Sequence, residues 1–405
     1  MSGPLSHIRV LDLSRVLAGP WASQLLADLG ADVIKVERPG SGDDTRAWGP
    51  PFLNTGDGSP GDAGYYLAAN RGKRSITLSL DTAEGQDIVR RLAAESDVVL
   101  ENFKVGTLDR YGLGYRHLSA INPRLIYASI TGFGQTGPRK SAPAYDFLIQ
   151  AMGGLMSITG EPDGAPGGGP QKVGVPIVDL ITGVYACVGI LAAVAQREVT
   201  GRGDHVDLGM LDVQVSLLAN QAMNYLMSGK TPVRTGTAHP NIQPQRVFRC
   251  QDGEMVLVVG NDGQFARLCQ ALAMPELADD ERFATNGARV RNEPVLTELL
   301  NAAFVQKTRA EWVSALSEVG VPCGPINSIP EVFADEQVQH RQMLRRLPHP
   351  TAGEVPQVVS PLRFAGSQAV FDRAPPLMGQ HTQEILQELG FSADEQDGLR
   401  ARKVI

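Results

Sequence analysis

The sequence predicts an α/β protein built on an open, doubly wound parallel sheet, with a smaller α+β region after it. Two observations carry this. Short β-prone runs alternate with amphipathic helical stretches over roughly the first half of the chain, the pattern of a parallel sheet with helices on both faces. After Gly229 the texture changes to hairpin and helix signals.

The elements follow in order. Residues 8–13, IRVLDL, are apolar and β-prone. GPWASQLLADLG places Trp21, Leu25, Leu26 and Leu29 at helical spacing, and Gly30 is suited to end that helix. ADVIKVERP reads as a strand stopped by Pro39. A strand–helix–strand unit of this kind implies parallel pairing. RSITLSL is the next strand. DTAEGQDIVRRLAAES is a helix, with Asp81 as expected N-cap and Glu84 three residues on completing a capping box. DVVLENF and LIYASITGFG are further strands. A glycine-rich loop spans 158–172, and a helix runs from there to about Gln196, stopped by TGRGD. HVDLGMLDVQVSLLANQAMNYLMSG reads as a strand and a long helix. The run RCQDGEM is a hairpin signal, an Asp-Gly turn between β-rich runs. Two helices follow, within 294–306 and 309–320, and an amphipathic helix lies near the C-terminus.

Composition narrows the function. The chain has 405 residues, enough for about two domains, with 42% hydrophobic and 20% charged residues, as in an ordinary soluble globular protein. A net charge of -7 argues against general nucleic-acid binding. Cys187, Cys250, Cys269 and Cys323 are far apart and without CxxC spacing, which reads as reduced, mostly buried cysteine in a cytoplasmic protein. No histidines pair at metal-ligand spacing, so no metal site is expected. The N-terminus lacks the pattern of a signal peptide. The apolar segment 173–195 is broken by Asp179 and by glycine and proline, and reads as a buried helix rather than a membrane span. No GxxxxGK[ST], GxSxG or HExxH occurs, and the turn after the first strand reads SRVLAGP rather than GxGxxG. A nicotinamide dinucleotide bound in the usual way is therefore not expected.

Asp179 is the single charge in the greasy segment. Two readings share one geometry. It is a helix N-cap, which aspartate favours and which Pro176 just upstream fits. Or it is a carboxylate nucleophile or general base at a helix N-terminus, its charge stabilised by backbone N–H groups. Periodicity does not separate them. VVGNDGQ at 258–264 is likewise a mobile flap or a strand-to-helix turn. Arg38, Lys73, Arg74 and Arg110 recur at strand ends and together suggest a polyanionic ligand at that edge.

Six stretches then make the chain recognisable: VLDLSRVLAGPWASQLLADLGADVIKVERPGSGDDTRAWGPP, NRGKRSITLSL, VLENFKVGTLDRYGLGY, SITGFGQTGP, TGRGDHVDLGMLD and PPLMGQHTQEIL. In this order they resemble the family III CoA-transferases, which include formyl-CoA transferase, carnitine CoA-transferase and the α-methylacyl-CoA racemases. ERPGSGDDTRAWGPPF, SITGFGQTGP and GTAHPNIQP resemble the succinate–hydroxymethylglutarate branch most. The resemblance implies that Asp179 attacks an acyl-CoA thioester, giving a mixed anhydride and then an aspartyl-CoA thioester. It implies CoA contacts at Val16, Leu17, Ala18, Arg38, Leu78, Asn102, Phe103, Lys104 and Arg110. Tyr145 and Asp146 match a Tyr–Glu pair near the active site of formyl-CoA transferase. Gly260, Asn261, Asp262, Gly263 and Gln264 match a glycine loop that closes over the intermediate.

Departures also inform. Arg15 and Leu17 replace the His and Gln of the formyl-CoA enzyme, which disfavours formyl or oxalyl specificity. Tyr145 stands where the racemases carry a catalytic His, and a phenol does not replace imidazole as a base near neutral pH. The implied reaction moves CoA from an acyl-CoA, succinyl-CoA, to a dicarboxylic acid of the glutarate, hydroxymethylglutarate, itaconate, mesaconate or citramalate type. CoA thioester is then a substrate, with no permanently bound cofactor. Arg15, Arg46, Arg234 and Arg246 are unranked partners for the second carboxylate. The expected architecture is a Rossmann-like large domain built from both chain ends. Residues 1–200 form its N-terminal CoA-binding part, 201–228 a linker, 229–325 the small α+β domain, and 326–405 a linker and the return to the large domain. Two such chains interlock as a ring-like homodimer in that family. No membrane or nucleic-acid partner is expected.

Overall fold

The computed structural model describes residues 3–405. The chain divides into two compact units: Met1–Gly154, Val173–Ala219 and Gln339–Ile405 in the larger, Leu155–Lys172 and Asn220–Val338 in the smaller.

The larger unit holds six parallel strands: β1 Arg9–Asp12, β2 Asp32–Glu37, β3 Lys73–Thr77, β4 Val98–Glu101, β5 Ile126–Thr131 and β6 His205–Gly209. Their order across the sheet is β3-β2-β1-β4-β5-β6. The order reverses between β1 and β4, and open α/β sheets bind ligands at such a switch point. The central strands read as near-continuous apolar runs because both faces are covered. Val10, Val33, Val98 and Leu100 join one core with helices α1 (Ala18–Asp28) and α4 (Ile177–Thr200). Leu11, Ile34 and Val99 point the other way, onto α2 (Ala83–Ala94) and the C-terminal helix Thr382–Glu388. Neighbours thus alternate between faces, the period of a strand.

The structure alters several sequence expectations. The C-terminal return adds no strand to the sheet. It covers the β3 edge instead: the backbone N–H of His381 donates to Ser75 O at 2.9 Å, Thr77 N–H donates to Thr382 Oγ1 at 3.1 Å, and Ser79 N–H donates to Val404 O at 2.7 Å. An edge strand otherwise presents unpaired backbone groups. Residues 201–228 are not a linker. They contain β6, paired with β5 from Tyr127–His205 to Thr131–Gly209, and two helices, Met210–Leu217 and Ala219–Ser228. The N-cap of α2 is Thr82, whose Oγ1 accepts the Gly85 N–H at 3.1 Å. Asp81, one residue too early, accepts from the Tyr111 hydroxyl at 2.8 Å. Helix α4 extends to Thr200 and is not wholly buried: Val184, Tyr185 and Val188 are exposed. By length and composition alone it could cross a membrane, yet its other face is packed against α1 and the sheet.

In the smaller unit, Gln245–Cys250 and Gly253–Val258 form the hairpin expected at the Asp-Gly turn, and Cys323–Pro325 adds a third antiparallel strand. Phe248, Leu257, Phe265, Phe304, Trp312 and Leu316 centre its core. This unit begins at Asn220 and also takes residues 155–172, which sequence reading left in the large domain.

Candidate active site

The switch point is closed by one side chain. Asn102, just beyond β4, accepts the Arg15 N–H at 2.9 Å and donates to Arg15 O at 2.6 Å. This ties the β1–α1 turn to the Asn102–Lys104 loop. Two cavities of the larger unit open there. One, of about 470 Å3, is lined by Val16, Leu17, Ala18, Asn102, Lys104, Tyr145 and Asp179, with Trp48 and Lys140 also facing it. The other, of about 250 Å3, is lined by Arg38, Leu78, Lys35 and Tyr111. Arg15, Asp44 and Phe103 line both, so the two adjoin.

Asp179 is in the first turn of α4 but does not cap it. Pro176 occupies the N-cap position, and no side chain of the helix itself caps it. Asp146 does so from α3 (Asp146–Met152): its Oδ2 accepts the N–H groups of Val178 at 2.8 Å and Asp179 at 3.2 Å. Its Oδ1 accepts from Gln150 Nε2 at 2.6 Å, and Gln150 Oε1 accepts the Val173 N–H at 3.0 Å. The free helix-end donors are thereby satisfied by a different carboxylate. Among the described residues the Asp179 carboxylate takes no hydrogen bond and no ion pair. Burial, and then the charge of Asp146, push it up to about 7. Burial and the charges of Asp179 and Asp146 likewise push Tyr65 up to about 12, which places that phenol within electrostatic reach of the pair.

The turn of Asp179 sits against the first turn of α1 because Gly183 allows it. A Cβ at Gly183 would lie 2.7 Å from Ala18 O and 3.0 Å from the Trp21 side chain.

Most residues singled out in the sequence converge on these cavities. Val16, Leu17, Ala18, Asn102, Phe103, Lys104, Tyr145 and Asp179 line the first, and Arg38 and Leu78 the second. Two do not. Arg110 is exposed at the end of the short helix Thr107–Arg110 and lines neither. The Asp146 carboxylate is spent on backbone donors instead of facing ligand. Tyr145 is 66% exposed, a side chain at a cavity mouth. In the smaller unit, Asn261 caps helix Asp262–Ala271, accepting the Gln264 N–H at 2.9 Å, while Gln264 Oε1 accepts the Gly260 N–H at 2.7 Å. Gly260 and Gly263 therefore belong to a hydrogen-bonded strand-to-helix turn, the simpler of the two sequence readings. Asp262 pairs with Arg289 at 2.7 Å.

Sequence reading passed over Trp48, Tyr65 and Lys140. Trp48 stands in the quoted TRAWGPP stretch, which was a usable signal; Trp48 and Tyr65 pack edge-to-face with centroids 5.2 Å apart. Nothing local marks Lys140. Of the four arginines proposed for a second carboxylate, Arg46 is committed to Glu37, Asp62 and the Tyr66 hydroxyl. Arg234 pairs with Asp163 and Arg246 with Glu293, both in the smaller unit. Arg15 alone lines the Asp179 cavity, with Asp44 at 3.0 Å as its ion-pair partner. Burial pushes the Cys187 thiol up to about 12, so it carries no thiolate at neutral pH.

An open parallel sheet with a cleft at its switch point, where such sheets bind ligands, and an unpaired carboxylate on the cleft wall place the chain in the class of ligand-binding α/β proteins. The chain belongs to CoA-transferase family III, whose model matches residues 5–382. It is 50% identical over 386 residues to a succinate–glutarate CoA-transferase of Agrobacterium fabrum, covering 95% of this chain and 96% of that protein. It is 41% identical over 393 residues to a succinyl-CoA:mesaconate CoA-transferase of Haloarcula hispanica, covering 96% and 97%. The crystal structure of a CAIB/BAIF family protein from Brucella suis superposes with a TM-score of 0.83 at 50% identity, covering 96% of this chain and all of that one. The protein is a CoA-transferase, and CoA thioesters are its substrates.

Proposed function

We propose that the protein moves CoA from succinyl-CoA to a dicarboxylic acid, with glutarate first among the acceptors to test and mesaconate second. The names of its relatives support the substrate class. One observation carries the mechanism: the Asp179 carboxylate lies unpaired on the wall of the cavity it shares with the β1–α1 turn and the Asn102–Lys104 loop.

In the first step an Asp179 oxygen attacks the thioester carbonyl. The C–S bond breaks, leaving a succinyl–aspartyl anhydride and CoA thiolate. The thiolate attacks the Asp179 carbonyl, releases succinate and leaves an aspartyl-CoA thioester. The acceptor carboxylate attacks that thioester, expelling CoA thiolate and leaving an acceptor–aspartyl anhydride. The thiolate then attacks the acceptor's acyl carbon, giving the acceptor's CoA thioester and restoring the Asp179 carboxylate. A desolvated carboxylate is a better nucleophile than a hydrated one, and a closed site protects the anhydride from water. Residues lining the second cavity, Arg38 and Leu78 among them, receive the nucleotide end of CoA, and Phe103 stands where the two ends of the substrate meet. Arg15 and Lys140 are the cations offered to charged substrate groups. The enzyme works as a cytoplasmic homodimer in this reading. The exposed apolar side chains of α3 and α4, Phe147, Leu148, Tyr185 and Val188, support a second copy covering them.

The test mixes purified protein with succinyl-CoA and a pool of mono- and dicarboxylic acids, and identifies the CoA thioesters formed by mass spectrometry. New thioesters of dicarboxylic acids alone are expected. Transfer to monocarboxylic acids only would overturn the acceptor class. Full turnover by Asp179→Ala would overturn the mechanism.

A further inference from the structure

Beneath the β1–α1 turn, on the wall of the second cavity, lies the buried pair Lys35 and Asp43, to which the steps above assign no part of their own. Val16 has φ 71°, in the left-handed region that a β-branched residue rarely enters. Such a conformation persists only where its surroundings enforce it. Here three successive residues have backbone groups held by side chains. Lys35 Nζ donates to Ser14 O at 2.9 Å. Asn102 holds both the N–H and the C=O of Arg15. The Val16 N–H points between the two oxygens of Asp43, 3.3 Å from each.

Asp43 is itself fixed. Its Oδ2 accepts from Lys35 Nζ at 2.8 Å, and its Oδ1 accepts from Thr45 N–H at 3.0 Å and Thr45 Oγ1 at 2.7 Å. Both partners of the Lys35–Asp43 pair are buried. A buried ion pair is a poor investment for stability alone, since apolar residues in its place often serve as well. Its placement on the strained residue at the cavity wall gives it another role. Residues 16–18 line the cavity of Asp179, so the conformation of Val16 sets where that wall stands.

We propose that Asp43, fixed by Lys35 and Thr45, is a positioning residue for acyl transfer: it holds Val16 in the left-handed conformation and so sets the β1–α1 turn against Asp179. This rests on the reading of that cavity as the acyl-CoA site. A shift of about 1 Å in a positioned group costs on the order of a hundredfold in rate.

The experiment compares four proteins in steady-state transfer from succinyl-CoA: wild type, Asp43→Asn, Val16→Gly and the double variant. Asp43→Asn is expected to lower kcat about 10- to 100-fold while the KM for the acyl-CoA changes by less than about threefold. Glycine adopts a positive φ without strain and needs no clamp. The double variant is therefore expected to match Val16→Gly alone, whatever that substitution costs by itself, so the fold-loss caused by Asp43→Asn is rescued on the glycine background. A lowered Tm with unchanged kcat in Asp43→Asn, or an equal fold-loss from Asp43→Asn on the glycine background, would overturn the proposal. If Asp43→Asn does not fold, Thr45→Val replaces it. That variant removes one of the bonds orienting Asp43, with a kcat loss of about 3- to 10-fold expected and the same rescue. An unrescued or absent loss there overturns the proposal too. Absence of transfer by the wild type is a separate result, which counts against the acyl-CoA reading itself.

Discussion

Asp43 and Asp179 are two carboxylates that bracket the same turn, and the fold drives them in opposite directions. Burial raises both. At Asp43, burial is outweighed by Lys35 and by the Thr45 donors, and the carboxyl is held at about 2. At Asp179 no cation or donor among the described residues answers the burial, Asp146 adds a like charge, and the carboxyl rises to about 7. Burial alone does not say what a carboxylate is for; its partners do. A fully partnered acid is scaffolding, and an unpartnered one at a cavity wall is available for chemistry. The stability consequences also have opposite signs. Asp43 contributes stability at neutral pH that is lost as pH falls from about 4 towards 2. Asp179 favours its protonated form, so its contribution is present below about 4 and is lost as pH rises through about 7.

Removing the unpartnered member is expected to give the largest effect. Asp179→Ala is expected to lower turnover by at least about 10^3-fold in the succinyl-CoA assay. Intact-protein mass spectrometry should then find no CoA adduct on the variant, whereas the wild type should carry one on Asp179. Forcing the two helix ends apart comes next. In Gly183→Ala the new methyl meets Ala18 O, and urea unfolding should report a loss of about 1–3 kcal/mol, with turnover reduced as Asp179 is displaced.

The charge on Asp179 itself can then be tuned. If Asp179 reacts as the proposed mechanism has it, as the carboxylate, the wild-type kcat/KM should climb with pH until about 7 and level off. Glu101, which accepts the Phe103 N–H at 2.8 Å and is also pushed up to about 7 by burial, titrates in the same range. Asp146→Asn separates the two. It removes the like charge beside Asp179, so an acid limb that belongs to Asp179 moves to lower pH, and one that belongs to Glu101 stays. The smallest effect is on stability. Asp179→Asn should raise stability at pH 8 by about 1 kcal/mol, a figure discounted for solvent screening at a half-buried site, and the gain should vanish near pH 4. A gain that instead grows towards acid pH would mean that Asp179 is partnered in solution.

The alternating elements of the sheet were legible because strands covered on both faces need mostly apolar residues, and VIKVE, VVLE and IYASIT are mostly that, with Lys35, Glu37 and Glu101 as buried exceptions. The last strand was read correctly as a strand but assigned to a linker. His205–Gly209 is an edge with mixed burial, so its pattern is weak. Asp179 was legible as a lone charge in an apolar run. Its release from the capping role was not, because the residue that caps α4 lies 33 positions earlier on another helix. Local spacing cannot report such a contact.

The sequence by itself determined the class of fold, the family and the identity of the exceptional acid, since each is written in contiguous residues. Tertiary structure decided what each charge does. Arg46 and Arg15 look alike in sequence, yet one is consumed by Glu37 and Asp62 and the other faces the Asp179 cavity. Asp43, Asp146 and Asp179 are likewise three aspartates in the chain and three different groups in the fold. The physical reason is that the state of a buried carboxylate depends on the groups within a few ångströms of it, and folding brings those groups from distant parts of the chain.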